Sequence, residues 1–148
     1  IVAPGTLEGG DVLVAGRRLF VGLSSRSNAE GVRQLGAILA PFAYQVTGVP
    51  VPAGLHLKSG VSYVAEGTLL VRPEWRDCPA WDGMQRLVVP PDEAYAANAL
   101  RINDHLLMPA GYPTTRRLLT GLGCPVLEVD TSEARKMDGG LSCMSLRF

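Results

Sequence analysis

Cysteine is scarce in this chain, and what there is forms no pattern. The three residues, Cys78, Cys124 and Cys143, are odd in number and widely spaced, and no CxxC occurs. That usage argues against a disulfide framework or a structural zinc site and makes a reducing cytoplasm the expected compartment. Long apolar runs are absent as well. Hydrophobic residues make up 47% of the 148, yet no stretch approaches the roughly 20 residues of a membrane span. Neither sign of charge is in excess, with 14 Lys+Arg against 14 Asp+Glu, so nucleic acid and anionic membrane are not the expected partners. The opening "IVAPGTLEGGDVL" reaches glycine and acid too early for a secretory leader. Ile1 stands where a starting methionine would, and "IVAPGT" reads as mid-chain linker, so the chain is expected to be a fragment of something longer.

What is present is one domain's length of sequence with a faint internal repeat. "DVLVAGRRLFV" (11–21), "VSYVAEGTLLV" (61–71) and "NALRINDHLLM" (98–108) each hold two short apolar runs around an Ala-Gly, Glu-Gly or Asn-Asp turn. That is the signature of a β-hairpin. The first and third hairpins lead into helical patterns. Val32, Leu35, Ile38 and Leu39 recur at helical spacing behind Asn28 as N-cap. Leu118, Leu119 and Leu122 form a face behind Thr114 or Thr115 as cap, with Gly123 as the stop. Apolar strands "YQVTGVPV" (44–51) and "PVLEVD" (125–130) follow, completing ββαβ units. In the middle copy Pro73, Pro79, Pro90 and Pro91 break up the helical stretch. "GGLSCMSLRF" predicts a closing strand or half-hairpin.

Five polar positions stand beside glycine or serine at strand ends or in loops. Cys143 follows Gly139-Gly140 and is flanked by Ser142 and Ser145, odd choices for an apolar strand. Of two histidines, His56 in "GLHLKSG" is the candidate acid/base, and His105 reads as a hairpin-turn residue. Glu8 in "LEGGD", with Asp11 beside it, reads as a turn carboxylate or as the group that orients His56. Arg26 in "SSRSN" reads as a surface charge or as a fork for a substrate carboxylate. The stretch around Met137 is the fifth. Cys78 sits in a proline-bounded loop and Cys124 at a helix-to-strand junction, both structural positions.

In order along the chain, "LEGGD", "FVGLSSRSNAEG", "LHLKS", "PPDEAYAANALRIND", "MPAGYPTTR", "VDTSE" and "RKMDGGLSCMSLRF" resemble the C-terminal part of the dimethylarginine dimethylaminohydrolases, of the guanidino-group-modifying (pentein) superfamily. The resemblance covers essentially residues 1–148, as the C-terminal portion of a single catalytic domain. It implies a pentein-type α/β propeller, with about three of its five ββαβ units in this chain. It matches Cys143 to the nucleophile, His56 to the general acid/base and Glu8 to the carboxylate beside it. Arg26 matches an arginine that binds the substrate α-carboxylate, and Met137 a position whose backbone carbonyl meets the α-amino group.

The implied reaction converts dimethylarginine to citrulline and dimethylamine through a cysteine thiouronium intermediate, with no metal or organic cofactor. Arginine deiminases on the same fold are expected to carry an acid two residues after the histidine. Lys58 stands there instead, which favours an N-alkylated substrate. An arginine deiminase-like enzyme and a non-catalytic interaction module are the alternatives. The family's acidic guanidinium-binding motif and a further substrate arginine lie upstream of the matched part, so the isolated chain is expected to be inactive or to need that segment. Three units with open strand edges are expected to associate with it or to form homo-oligomers.

Overall fold

The structure is a computed structural model that describes residues 1–52 and 54–146. Three ββαβ-type units follow one another. In the first, β1 (Val12–Ala15) turns back antiparallel into β2 (Arg18–Leu23), helix α1 (Ala29–Leu39) crosses over, and β3 (Gln45–Pro50) returns parallel to β2. The second unit pairs β4 (Val61–Ala65), β5 (Thr68–Val71) and β6 (Gln85–Val88) in the same way. The third is built from β7 (Leu100–Ile102), β8 (His105–Pro109), helix α2 (Pro113–Thr120) and β9 (Val126–Val129). Each sheet has three strands in chain order, and the first strands β1, β4 and β7 lie against one another.

The hairpins stand where the sequence predicts them. Each closes through a two-residue loop in which one position has positive φ: Gly16 (+63°), Gly67 (+63°) and Asn103 (+54°). Only glycine or asparagine takes that conformation cheaply. In the first hairpin the loop is Gly16-Arg17, one residue later than the Ala-Gly reading, because Ala15 still pairs with Arg18.

Strand β5 is the wall between two cores. All four of its residues are buried. Leu69 and Val71 face Leu13, Phe20, Val49, Leu57 and Val61 of the first cluster, whereas Leu70 faces Val64, Leu106, Met108 and Leu119 of the second. The alternation is that of a strand covered on both faces. In the middle unit the prolines do break the helix. Two 3-10 turns, Pro73–Trp75 and Pro79–Trp81, replace it. They fill the space with Trp75 and Trp81, both nearly fully buried. Trp81 stands edge-on to Phe20 at 4.9 Å and donates its indole N–H to the Trp75 carbonyl at 2.7 Å. The polar ends of two large rings are thereby satisfied inside an apolar core, since Trp75 in turn donates to the Pro50 carbonyl.

Four local expectations change. Asn28 does cap α1, accepting from the Gly31 N–H, but Ile38 on that helix is 53% exposed rather than inside. Thr114 and Thr115 do not cap α2; they lie in its first turn, and Glu93 from the preceding 3-10 segment (Pro91–Ala97) reaches over to accept from both of their N–H groups and from the Thr115 hydroxyl. The helix also stops at Thr120, ahead of Gly123. The stretch Leu141–Met144 is a run of turns rather than a closing strand: the N–H groups of Cys143 and Met144 bond back to the Gly140 carbonyl. Arg147 and Phe148, the end of that predicted strand, lie outside the described residues.

Burial alone pushes the Glu93 carboxyl up, but its hydrogen bonds to Thr115 and Thr114 outweigh this and hold it below the usual carboxylate range. A carboxyl depressed on folding stabilises above its unfolded value and loses that contribution as pH falls through the folded one. Glu93→Gln is therefore expected to cost about 1–3 kcal/mol near neutrality. The gap between the variant and the parent in thermal denaturation should narrow from neutral to strongly acidic pH, as Glu93 takes up its proton below the usual carboxylate range. An equal gap at both pH values would show that the carboxylate charge is not what matters.

Candidate active site

A single buried carboxylate organises the candidate site. "LEGGD" forms a 3-10 turn (Gly9–Asp11) that delivers Asp11 to the start of β1 with no exposed surface. Its Oδ2 accepts from the Ser24 hydroxyl at 2.6 Å and the Ser27 hydroxyl at 2.8 Å, and its Oδ1 accepts from the Leu57 N–H at 3.1 Å. Ser27 Oγ in turn accepts from the Glu8 N–H, and Ser24 Oγ from the Arg26 N–H. Burying a carboxylate is tolerable only when charge-assisted hydrogen bonds replace its water. Here the replacements come from the loop after β2 and the loop after β3. The result is that Glu8, Arg26 and His56 meet.

Glu8 Oε1 lies 2.8 Å from His56 Nε2, and Oε2 lies 3.1 Å from Arg26 Nε. The His56 contact has the distance of an ion pair, but the ring N–H is not aimed at the oxygen, so Nε2 makes no directed hydrogen bond. Gly10 is what lets the ring come so close: a Cβ there would stand 2.7 Å from His56 Cγ. His56 is well covered, while the Glu8 and Arg26 side chains are roughly two-fifths exposed. Arg26 thus faces Glu8 through Nε, leaving two further guanidinium nitrogens as donors in the same fork.

Cys143 is exposed, in the turn behind Gly139-Gly140. Two cavities join its loop to that of His56. One, of about 760 Å³, is lined by Lys58, two residues beyond His56, and by Ser142 and Ser145 on either side of Cys143. The other, of about 550 Å³, is lined by Leu55 and Ser59 from the His56 loop and by Gly139 and Gly140. Met137 is 85% exposed just beyond helix α3 (Ser132–Arg135). The remaining candidates stand elsewhere. His105 opens β8 and pairs with Asp104 at 2.6 Å, Cys78 packs on the first core cluster, and Cys124 packs on the second.

Sequence reasoning missed four supporting residues: Ser24 and Ser27 on Asp11, and Asn98 and Tyr95, which hold the Cys143 loop. A polar residue amid the alanines of "AYAANA" was the available signal for Asn98. Asp11 itself had been read as a turn carboxylate. Asp11→Ala is expected to cost about 3 kcal/mol, because it strands two hydroxyls and a buried N–H. Urea denaturation checks this, with the exposed Asp104→Ala as a control expected to shift stability by less than about 0.5 kcal/mol.

No protein-family model matches the chain. It is 46% identical over 148 residues to the N(G),N(G)-dimethylarginine dimethylaminohydrolase of Pseudomonas aeruginosa, covering 100% of this chain and 58% of that protein. It is 40% identical over 145 residues to the enzyme of the same name from Streptomyces coelicolor, covering 98% of this chain and 55% of that one. The chain therefore spans a little over half the length of these relatives. A solved structure of the Pseudomonas aeruginosa enzyme, a cysteine-to-serine variant complexed with citrulline, superposes with a TM-score of 0.94 at 45% identity, covering 100% of this chain and 58% of that one. The chain is thus homologous to the dimethylarginine dimethylaminohydrolases over a little more than half of their length and shares their pentein fold.

Proposed function

We propose that these 148 residues supply the nucleophile and the acid/base of a catalytic domain that hydrolyses N-omega-methylated arginine to citrulline and dimethylamine. The observation that carries the reading is that chain neighbours of His56 and of Cys143 line the same two cavities, with Glu8 set 2.8 Å from the imidazole. Citrulline in the superposed relative supports the substrate class.

The guanidinium carbon is a weak electrophile, because its charge is spread over three nitrogens. A thiolate is the side chain suited to attack it, and the bound cation itself favours the ionised sulfur. Cys143 Sγ forms a bond to that carbon and gives a tetrahedral adduct. His56, as imidazolium, protonates the dimethylamino nitrogen, the C–N bond breaks and dimethylamine departs. A thiouronium remains on sulfur. Water then adds to the same carbon and gives a proton to the now neutral His56. The second adduct expels the thiolate, its hydroxyl proton passes to solvent, and citrulline is released. Glu8 holds the ring in place through both proton transfers. Arg26 binds the substrate α-carboxylate through nitrogens that do not face Glu8, and the Met137 carbonyl receives the α-amino group. A cytoplasmic setting suits a site that needs its cysteine reduced. Lys58, in place of an acid near a bare guanidinium nitrogen, favours the methylated substrate over arginine.

The test uses a chimera in which this chain replaces its matched portion of the Pseudomonas aeruginosa relative, beside the chain alone. The chimera is expected to release citrulline and dimethylamine in equal amounts from dimethylarginine. Cys143→Ser and His56→Gly should each lower the rate at least ~100-fold. Ammonia release from arginine at a higher kcat/KM than dimethylamine release from dimethylarginine would favour a deiminase. A folded chimera unaffected by Cys143→Ser would overturn the assignment.

A further inference from the structure

The segment that carries Cys143 has little to lean on. Ser142 and Ser145 border one cavity, and Gly139 and Gly140 border the other, so residues 139–145 run as a partition between two open volumes. Leu141 is buried, but its neighbours on the partition are glycines and serines that offer no apolar anchor. A nucleophile needs closer placement than that, since a misplacement of about 1 Å can cost 100-fold in rate.

Polar contacts from the second and third units supply what apolar contact does not. Asn98, 5% exposed, accepts from the Ser142 N–H through Oδ1 and donates to the Ser142 hydroxyl through Nδ2, each at 2.9 Å. Only one orientation of the amide satisfies both bonds. Tyr95 donates its hydroxyl to the Gly139 carbonyl at 2.8 Å. Gly140 lies flat against the same amide, and a Cβ there would stand 2.6 Å from Asn98 Nδ2. Asn98 is itself gripped from below. The Ser62 hydroxyl, on β4, donates to the Ala97 carbonyl at 2.7 Å and accepts from the Ala99 N–H at 3.1 Å. Two sets of hydrogen bonds, joined through the 97–99 backbone, thus link the core strand β4 through Ser62 and Asn98 to Ser142, the residue next to the cysteine.

We propose that Asn98 is the positioning residue for the nucleophile, fixing the Ser142–Cys143 peptide so that the sulfur is presented to the guanidinium carbon. This deepens the proposed function and rests on Cys143 being the attacking group.

Two independent measurements test it. Hydrogen exchange of the purified 148-residue chain reads the pin without any need for turnover. Asn98→Ala is expected to speed exchange in the 139–146 peptide by about tenfold, the weight of one or two lost hydrogen bonds, while leaving β5 protected. Turnover in the chimera reads the consequence. The variant should lower kcat by ~10- to 100-fold with KM changed less than about threefold. Ser142→Ala keeps the N–H bond and should have the smaller effect, and the double variant should fall short of the product of the two single effects. Should Asn98→Ala fail to fold, Gly140→Ala, which pushes the loop off Asn98 from the other side, replaces it with the same expected changes. Unchanged exchange in 139–146, or unchanged kcat in a folded variant, would overturn the proposal. An inactive unmutated chimera would instead sink the reaction assignment, and the exchange result would still decide whether Asn98 holds the loop.

Discussion

The site depends on the burial of one carboxylate. Asp11 has no exposed surface, and its two oxygens receive three hydrogen bonds from Ser24, Ser27 and the Leu57 N–H. A charge in that position is costly unless each bond is made. The loops after β2 and β3 therefore have one arrangement that satisfies it. Gly22 has no room for even a methyl group, since its Cβ would meet Asp11 Oδ1 at 2.8 Å. Glu8, Arg26 and His56 come together as a consequence of that arrangement, and the exposed half of the cluster inherits its geometry from the buried half.

The fold contributes by holding its units at fixed distance. β5 separates two apolar clusters with side chains of opposite parity, so neither core can shift without moving the other. The middle unit gives up a helix and takes two tryptophans in its place, with both indole N–H groups bonded to backbone carbonyls. What this frame exports to the site is Ser62, a core-strand hydroxyl that grips the backbone on both sides of Asn98. The His56 loop is thus tied to the first unit and the Cys143 loop to the second and third. Residues of both loops line the two cavities between them.

The same division explains the chemistry that the site is suited to. Attack on a cationic carbon needs a sulfur, a proton carrier and a carboxylate, and no one of these is stable in its working position alone. Glu8 lies against both Arg26 and His56, so its charge has close neighbours even though His56 Nε2 makes no directed hydrogen bond. Cys143, by contrast, is exposed on a turn with no charged neighbour among its hydrogen-bond partners in the described residues, and in the proposed reaction the cationic substrate completes the pairing.

The sequence by itself determined the three hairpins, the two crossover helices and the absence of a third. Alternating apolar runs, positive-φ residues at Gly16, Gly67 and Asn103, and prolines at 73 and 79 act within a few residues of themselves, so their consequences are readable locally. The motif residues Cys143, His56, Glu8 and Arg26 were legible too, as polar positions beside glycine and serine. What the sequence did not disclose was which polar residue answers which. Asp11 looked like a turn carboxylate, Thr114 and Thr115 looked like caps, and the Cys143 stretch looked like a strand. The tertiary structure made the first a hub, gave the cap to Glu93 and turned the last into a pinned loop. The physical reason is the same in all three. A hydrogen-bond partner 16, 22 or 44 residues away is chosen by which loops the packed sheets bring within reach, and no local periodicity encodes that choice.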